Sequence, residues 1–598
     1  MKKILPILLV GMLLGSGFGA AVSLRSSTSL ATFTEEISFS PPLLHDQGDY
    51  LSVEIAEATS SAAAPGYPVL PMYTTQVSFP FGTIITDVSF TTSTVKEISL
   101  TKEILPGAQK TPVGGDSLSS LETARLKNKA VYSSESSYPL SRLQYEIGAG
   151  LEGAAHVIIL SLQYYPLMYQ PAGPSLLFTP SVQITITYLE SEAPFPVSTD
   201  MNLLIIAPEE FSEALQPLID HKIQHGVPTT LVTTEWIANH AAGRDLEEQI
   251  KYTIKDEIET HAITSVLLVG SFDKLPMRRS YVMFWDWEEE VITDLYYSDI
   301  YDSTGAFCSW DSNNNNKFGE SSDRVDHHPD VYLGRLACDS VEEVNIVSDK
   351  IIHYETETYG SDWFNTIIYI GGNTFRWTPG NDGEEINEMV MDLLPQFSEE
   401  IIWTSKNNFN RWTISRTITQ GAGFVDYSGH GFEFGMGTYT PVGTKMKYYY
   451  SAYIKDTKNG YKLPIIFFDA CLTAKIDYVL QDLLDYRAYT VFNTLAQILG
   501  VDTSKRRPCY AWEFISHEGG GAIATIGATR TAFGGTDEGA GKMSLEFFST
   551  YESSQYLGEM FAEMQNGYIA DCPGDDFTLE EFILLGDPSL RIGGYPPQ

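Results

Sequence analysis

The chain has 598 residues, with 38 Lys and Arg against 77 Asp and Glu and a formal net charge of −39. That length exceeds the roughly 250 to 300 residues that one hydrophobic core serves, so two to four domains are expected. Acidity spread along the whole chain argues against a nucleic-acid partner, because phosphate backbones demand basic patches, and five scattered cysteines, an odd number, exclude a disulfide scaffold and leave at least one thiol without an intramolecular partner.

In chain order, residues 1–21 read as an export signal: Lys2 and Lys3 precede an apolar run over 4–14 and small residues over 15–21. The mature protein is therefore expected to be secreted. Beyond that signal no stretch is long and apolar enough to span a bilayer. Residues 34–198 are rich in Ser, Thr, Pro and Gly, with short β-favouring runs at 76–79, 84–90, 156–162 and 182–188. This predicts an all-β domain, interrupted by a flexible loop over 107–139.

The texture changes at Met201. A strand over 201–207, a helix over 211–225, a strand over 229–233, a helix over 245–260 and a strand over 265–270 place a first α/β unit in residues 201–358. After an irregular segment the pattern restarts: strand 366–370, helix 384–394, strand 401–404, helix 412–419, then strands 423–427 and 464–469. A second α/β unit is therefore expected over residues 359–593. Alternating strand and helix at this spacing implies mainly parallel sheets with helices on their faces.

Two of these strands run into residues that carry chemistry. Strand 423–427 leads to Ser428-Gly429-His430-Gly431, and strand 464–469 leads to Ala470-Cys471. Ligand crevices of open α/β sheets lie at the carboxyl ends of strands, so His430 and Cys471 are expected to meet there. A free thiol is mostly protonated at neutral pH, and a neighbouring imidazole takes its proton and stabilises the thiolate. The N–H groups of Gly431 and Cys471 are candidate oxyanion donors.

The irregular segment holds Asp311, Asn313, Asn315 and Glu320 in the run DSNNNNKFGE. Alternating side-chain oxygens closed by a carboxylate suggest a structural calcium loop, although the acid falls at the tenth position and the turn lacks its glycine. The other reading is a polar turn, which Asn and Asp favour with or without metal. His327 and His328 lack zinc-ligand spacing, and there is neither a GxSxG elbow nor a phosphate loop.

The words around His430 and Cys471, DYSGHG and FDAC, resemble the catalytic core of the gingipain family, relatives of caspases and legumains. PGYPVLPMYTTQVSFPFG at 65–82 is similar to that family's prodomain, and DVYLGR at 330–335, GGGAIATIGATR at 519–530 and LGDPSLRI at 585–592 resemble later family segments. The resemblance implies two caspase-like subdomains behind a prodomain-like β domain, and a secreted cysteine endopeptidase acting on proteins or peptides with no organic cofactor. Cys471 would be the nucleophile, His430 the base, and the amides of Gly431 and Cys471 the oxyanion hole. The alternative is an exported gingipain-like binding or surface protein without turnover.

The sequence departs from the family in two places. Ala474 stands where the family has Gly, and the family's acidic third member would fall at Asn373 or Thr374. Asp382 or Glu384 then orients His430, or a neutral group does. Asp382, Glu384, Glu385 and Asn387 also compete as determinants of specificity, and Phe533 matches an aromatic pocket wall. The junction over 187–201 holds no Lys or Arg. The β domain is therefore expected to stay attached, or to be lost by cutting within 107–139, where Lys110, Arg125, Lys127 and Lys129 are available.

Overall fold

The computed structural model describes residues 30–108, 111–112, 126–191, 201–284, 287–376, 379–485 and 502–597. The expected export signal and the centre of the 187–201 junction lie outside the described residues, as does most of 109–125. No helix among the described residues is long and apolar enough to cross a membrane.

The chain divides into two compact units. The first is the strand-rich N-terminal region together with Tyr301–Phe307. Its strand Ser181–Leu189 lies between Leu30–Ser38 and Ile84–Thr92, antiparallel to both. Val182, Ile184, Ile186 and Tyr188 are buried at every second position, the period-two burial of a sheet with one face on a core. Tyr301 packs its ring against Phe81 at 5.2 Å and His156 at 6.1 Å. Those aromatic contacts place a short piece of the later sequence with the β unit.

The second unit is built on one ten-stranded sheet. Its first strands are β1 (Leu203–Ala207), β2 (Thr229–Thr233), β3 (Ser265–Val269) and β4 (Tyr332–Leu336). The next are β5 (Thr366–Gly371), β6 (Ser398–Trp403) and β7 (Phe424–Ser428). A side sheet of β8 (His430–Phe432), β9 (Gly435–Tyr439) and β10 (Met446–Tyr450) follows. Then come β11 (Ile465–Asp469), β12 (Ala524–Ala528), the short β13 (Phe533–Gly534) and β14 (Phe582–Leu585). The main sheet has the order β2-β1-β3-β4-β14-β12-β11-β7-β5-β6.

Most of these strands are buried along their whole length. That explains their continuous apolar runs, since helices cover both faces. The two α/β units expected from the sequence are thus halves of a single sheet. The joint is β14, parallel to β4 and antiparallel to β12, so the halves run in opposite directions. The reading of separate sheets missed this because β14 comes from the far end of the chain.

Helix α1 (Ser212–Gln224) and helix α2 (Val341–Glu357) fasten that far end. Lys222 of α1, fully buried, meets Glu355 of α2 and Asp587 at 2.7 Å each and donates to Ser589 O at 3.1 Å. The closing words GDPS therefore have a structural role. A buried lysine is stable as a cation only when paired this closely, and burial is outweighed here by the two carboxylates, which hold the Lys222 pKa above its usual value.

Candidate active site

Strands β7 and β11 are adjacent and parallel, with Ser428 opposite Asp469. The Gly429 N–H donates to Asp469 O at 3.1 Å, so two residues further on His430 and Cys471 emerge side by side at the carboxyl end of the sheet. Their backbones are in contact: a Cβ added to Gly431 would stand 2.0 Å from Cys471 O. Only glycine fits there, which accounts for the residue after the histidine. Ser428 Oγ donates to Asp469 Oδ2 at 2.5 Å and ties the strand ends together. Burial pushes the Asp469 carboxyl up to about 7 against that hydrogen bond.

Both side chains of the pair are buried, Cys471 completely. The His430 ring places Nε2 2.6 Å from Thr374 O. A carbonyl only accepts, so Nε2 carries the proton and Nδ1 is the basic nitrogen. Tyr427 Oη, 2.7 Å from both His430 O and Gly437 O, holds the turn, and Tyr439 packs edge-on to the imidazole at 5.6 Å. Cys471 Sγ donates to Ala532 O at 3.2 Å. Leu472, immediately after it, has φ of 54° and donates its N–H to Arg530 O at 2.9 Å. A left-handed leucine costs of order 1 kcal/mol or more and persists where the surroundings over-determine it; here it turns the chain so that the thiol faces the segment after β12. Burial pushes the Cys471 thiol well up, with a further upward contribution from the Glu581 charge, and the Ala532 contact acts against them.

The acids weighed as partners of His430 have other engagements. Glu384, at the start of helix α3 (Asp382–Leu393), accepts from the Ser405 N–H at 2.9 Å and from Thr404 Oγ1 at 3.3 Å. Asp382 Oδ2 accepts from the Thr374 N–H at 3.4 Å, so it contacts the residue whose carbonyl holds the imidazole. Asn387 bridges Asp426 Oδ2 and Trp403 Nε1 at 2.7 and 2.9 Å. Asp426, also bonded by Ser544, is pushed up to about 6 by burial. The neutral group that the sequence left open is the Thr374 carbonyl, at one of the two positions named for the third member; sequence reasoning passed over Asp426 and Asp469, although two acids inside apolar strand words are a signal.

Phe533, 8% exposed, packs edge-on to Phe577 at 6.0 Å. With Leu472, Lys475, Asp477 and Arg530 it lines a cavity of about 480 Å³, which Leu472 brings next to Cys471 in the chain. Arg530 forms a two-pronged pair with Asp477 at 3.1 and 3.0 Å. The edge of β13 at Phe533–Gly534 is paired antiparallel with Thr111–Pro112. Ala474 is fully buried, with its N–H on Ala528 O at 3.0 Å, and packs against β12. All five cysteines are free and buried.

The expected calcium loop is closed by its own side chains. Asp311 is ion-paired with Arg244 and accepts the Asn315 N–H at 2.8 Å. The amide nitrogens of Asn313 and Asn315 donate to Glu320 at 3.3 and 2.5 Å. A guanidinium on the central carboxylate and amide N–H groups turned inward do not fit a divalent cation, which needs a shell of oxygens. Among the described residues no group of three or more His, Cys, Asp or Glu is gathered as a metal site.

A cysteine and a histidine presented from neighbouring parallel strands lie side by side at the carboxyl ends of those strands. The sequence model of peptidase family C25 matches residues 197–593, and the chain belongs to that family. It is similar to Gingipain R2 of Porphyromonas gingivalis, 23% identical over 280 residues that cover 46% of this chain and 33% of that protein. It is also similar to Lys-gingipain of the same organism, 22% identical over 409 residues that cover 66% of this chain and 21% of the relative. The match thus spans a third or less of these relatives' length. Among solved structures, the complex of Porphyromonas gingivalis RgpB pro- and mature domains aligns with a TM-score of 0.47 at 19% identity, over 65% of this chain and 79% of the other. Dimeric latent PorU aligns with a TM-score of 0.29 at 12% identity, over 88% and 39%.

Proposed function

We propose that the protein is a cysteine endopeptidase in which Cys471 attacks the scissile carbonyl and His430 moves the proton. The observation that carries this reading is the β7–β11 register, which sets His430 beside Cys471 while Thr374 O holds Nε2 and leaves Nδ1 basic. On substrate binding the thiol turns from Ala532 O, gives its proton to Nδ1 and bonds to the carbonyl carbon. The imidazolium then protonates the leaving amine, and water, deprotonated by the same ring, releases the acyl group. The amide beside Gly431 would stabilise the oxyanion. The export signal makes the enzyme, in this proposal, a secreted one acting on protein or peptide substrates.

The raised thiol and the pairing of Thr111–Pro112 on β13 also support a resting form that is latent, with cleavage in the 107–139 loop as the release. A scaffold without turnover is the competing reading, favoured by the same burial of the thiol. The test is a mixed peptide library and a thiol-directed probe applied to the purified protein before and after limited proteolysis. Cleavage and labelling that appear together and vanish in Cys471→Ala support the enzyme. Cleavage that persists in Cys471→Ala removes it, and no cleavage after complete removal of the loop leaves the binding protein.

A further inference from the structure

The side sheet that begins at His430 presents a face of aromatic rings. Its strands pair His430 with Gly437 and Gly437 with Tyr448, then Phe432 with Gly435 and Gly435 with Tyr450. Residues directly opposite one another project from the same face of a sheet, so His430, Phe432, Tyr448 and Tyr450 share one face. The middle strand contributes only glycine between them. A Cβ added to Gly437 would stand 2.9 Å from Tyr448 Cδ1, and one added to Gly435 would stand 3.0 Å from Tyr450 Cδ1. The tyrosines therefore lie down over the glycines toward β8. Tyr448 and Tyr450 are stacked at 5.4 Å with planes 10° apart, Phe434 and Tyr450 at 6.0 Å and 13°, and Phe432 reaches Tyr448 at 6.2 Å. Burial does not explain this layer, since Tyr448 is 40% exposed and Phe432, Phe434 and Tyr450 are half-buried.

The position of this face decides what it would meet. Cys471 at the end of β11 is flanked by the segment after β12 on one side and by the segment after β7 on the other. The cavity walled by Leu472 and Phe533 lies on the β12 flank, and the aromatic face lies on the β7 flank with His430. In the reaction proposed above, His430 must reach the nitrogen of the leaving amine to protonate it. The leaving part of the substrate therefore departs over the His430 flank. Phe432 stands two residues beyond His430, roughly 7 Å along a strand at the usual rise, a distance that corresponds to the second residue after the cut.

We propose that Phe432, Tyr448 and Tyr450 form a subsite for an aromatic or large aliphatic side chain of a polypeptide substrate, two to four residues on the C-terminal side of the scissile bond. This rests on the peptidase reading and adds a specificity to it. Flat rings offer area with little ordering cost, and the nearby cation Arg411, over Tyr453 at 4.4 Å, already has its charge matched by Asp456 at 2.7 Å. With that cation already paired, the face offers its ring area to an apolar side chain. Sugar rings stack on such surfaces too, but the continuity of this face with His430 favours the chain that is being cut.

The test compares two peptide series that share the residues before the cut, taken from cleaved library members, and that carry Phe or Ala at the second to fourth positions after it. Wild-type protein should favour the Phe series about tenfold in kcat/KM, the scale of one good aromatic contact. In Tyr448→Ser and Tyr450→Ser that ratio should fall toward one, whereas Tyr448→Phe, which keeps the ring, should retain it. A wild-type ratio near one, or a ratio that survives both serine variants, overturns the subsite while leaving the peptidase standing. Competition by a soluble hexose oligomer that disappears in Tyr448→Ser, with no Phe preference, reassigns the face to carbohydrate and also overturns the subsite. Absence of library cleavage by wild-type protein even after the limited proteolysis described above sinks the peptidase reading and this one together.

Discussion

The two halves of the ten-stranded sheet use the carboxyl ends of their strands in opposite ways. In the first half, Arg335 of β4 is fully buried and forks onto Asp294, with both nitrogen–oxygen distances at 2.7 Å, and donates to Gly270 O and Leu275 O at 3.0 and 2.8 Å. The crevice expected there is filled by an ion pair with its donors used. In the second half, the carboxyl ends, which lie on the opposite edge of the sheet, hold Cys471 and His430, while Asp469 Oδ1 and Thr473 Oγ1 are buried with no hydrogen-bond partner among the described residues. Polar groups satisfied by one another stabilise a fold, whereas a buried group without a partner costs free energy and calls for an explanation.

The largest effect that tests this comparison is loss of the dyad. Cys471→Ala and His430→Ala should each lower kcat by about 10⁴-fold or more, and the double variant should be hardly worse than either, because members of one catalytic unit are not additive. Circular dichroism and thermal midpoints should stay close to wild type. Additive losses would mean that the two residues do not act together.

The converse holds for the first half. Arg335→Met leaves Asp294 buried and unpaired, which costs about 3 to 5 kcal/mol when one partner of a buried pair is removed. Denaturant titration should show that loss. A change below about 1 kcal/mol would mean the crevice is not held by the ion pair.

A smaller effect concerns the thiol. Because burial raises the Cys471 pKa, the thiolate fraction of the resting protein should grow about tenfold per pH unit below that pKa. Iodoacetamide labelling at Cys471 should accordingly rise through pH 7 to 9 without levelling. A plateau reached below pH 7 would reveal a preformed thiolate–imidazolium pair and break the picture of a resting thiol held on Ala532.

The smallest effect is expected at the Asp311 loop. With Arg244 on Asp311, added calcium and a chelator should give thermal midpoints within about a degree of each other, since a ligand stabilises only in proportion to its binding to the native state. A calcium-dependent rise of several degrees, lost in Asp311→Asn, would show that the cation displaces Arg244 and restore the calcium reading of this loop.

Much of the site was legible in the chain itself. A glycine after His430, apolar strand words before His430 and Cys471, and their order were enough to bring the pair to one edge, because parallel strands present their carboxyl ends together. Their local turns follow from residue types: a Cβ at position 431 would stand 2.0 Å from Cys471 O, so only glycine fits. The partners of those residues were not legible. His430 is oriented by a carbonyl, Thr374 O, and every residue carries a carbonyl, so no side chain announces it. Asp311 is taken by Arg244, 67 positions away, and Glu384 by Ser405 and Thr404, so acids that read as ligand or catalytic partner by spacing are claimed by groups that only folding brings near. The same is true of the sheet. Alternation of strand and helix determines two α/β units, but their fusion through β14 depends on a strand from near residue 585 entering between β4 and β12, a pairing between distant segments that local patterning does not encode.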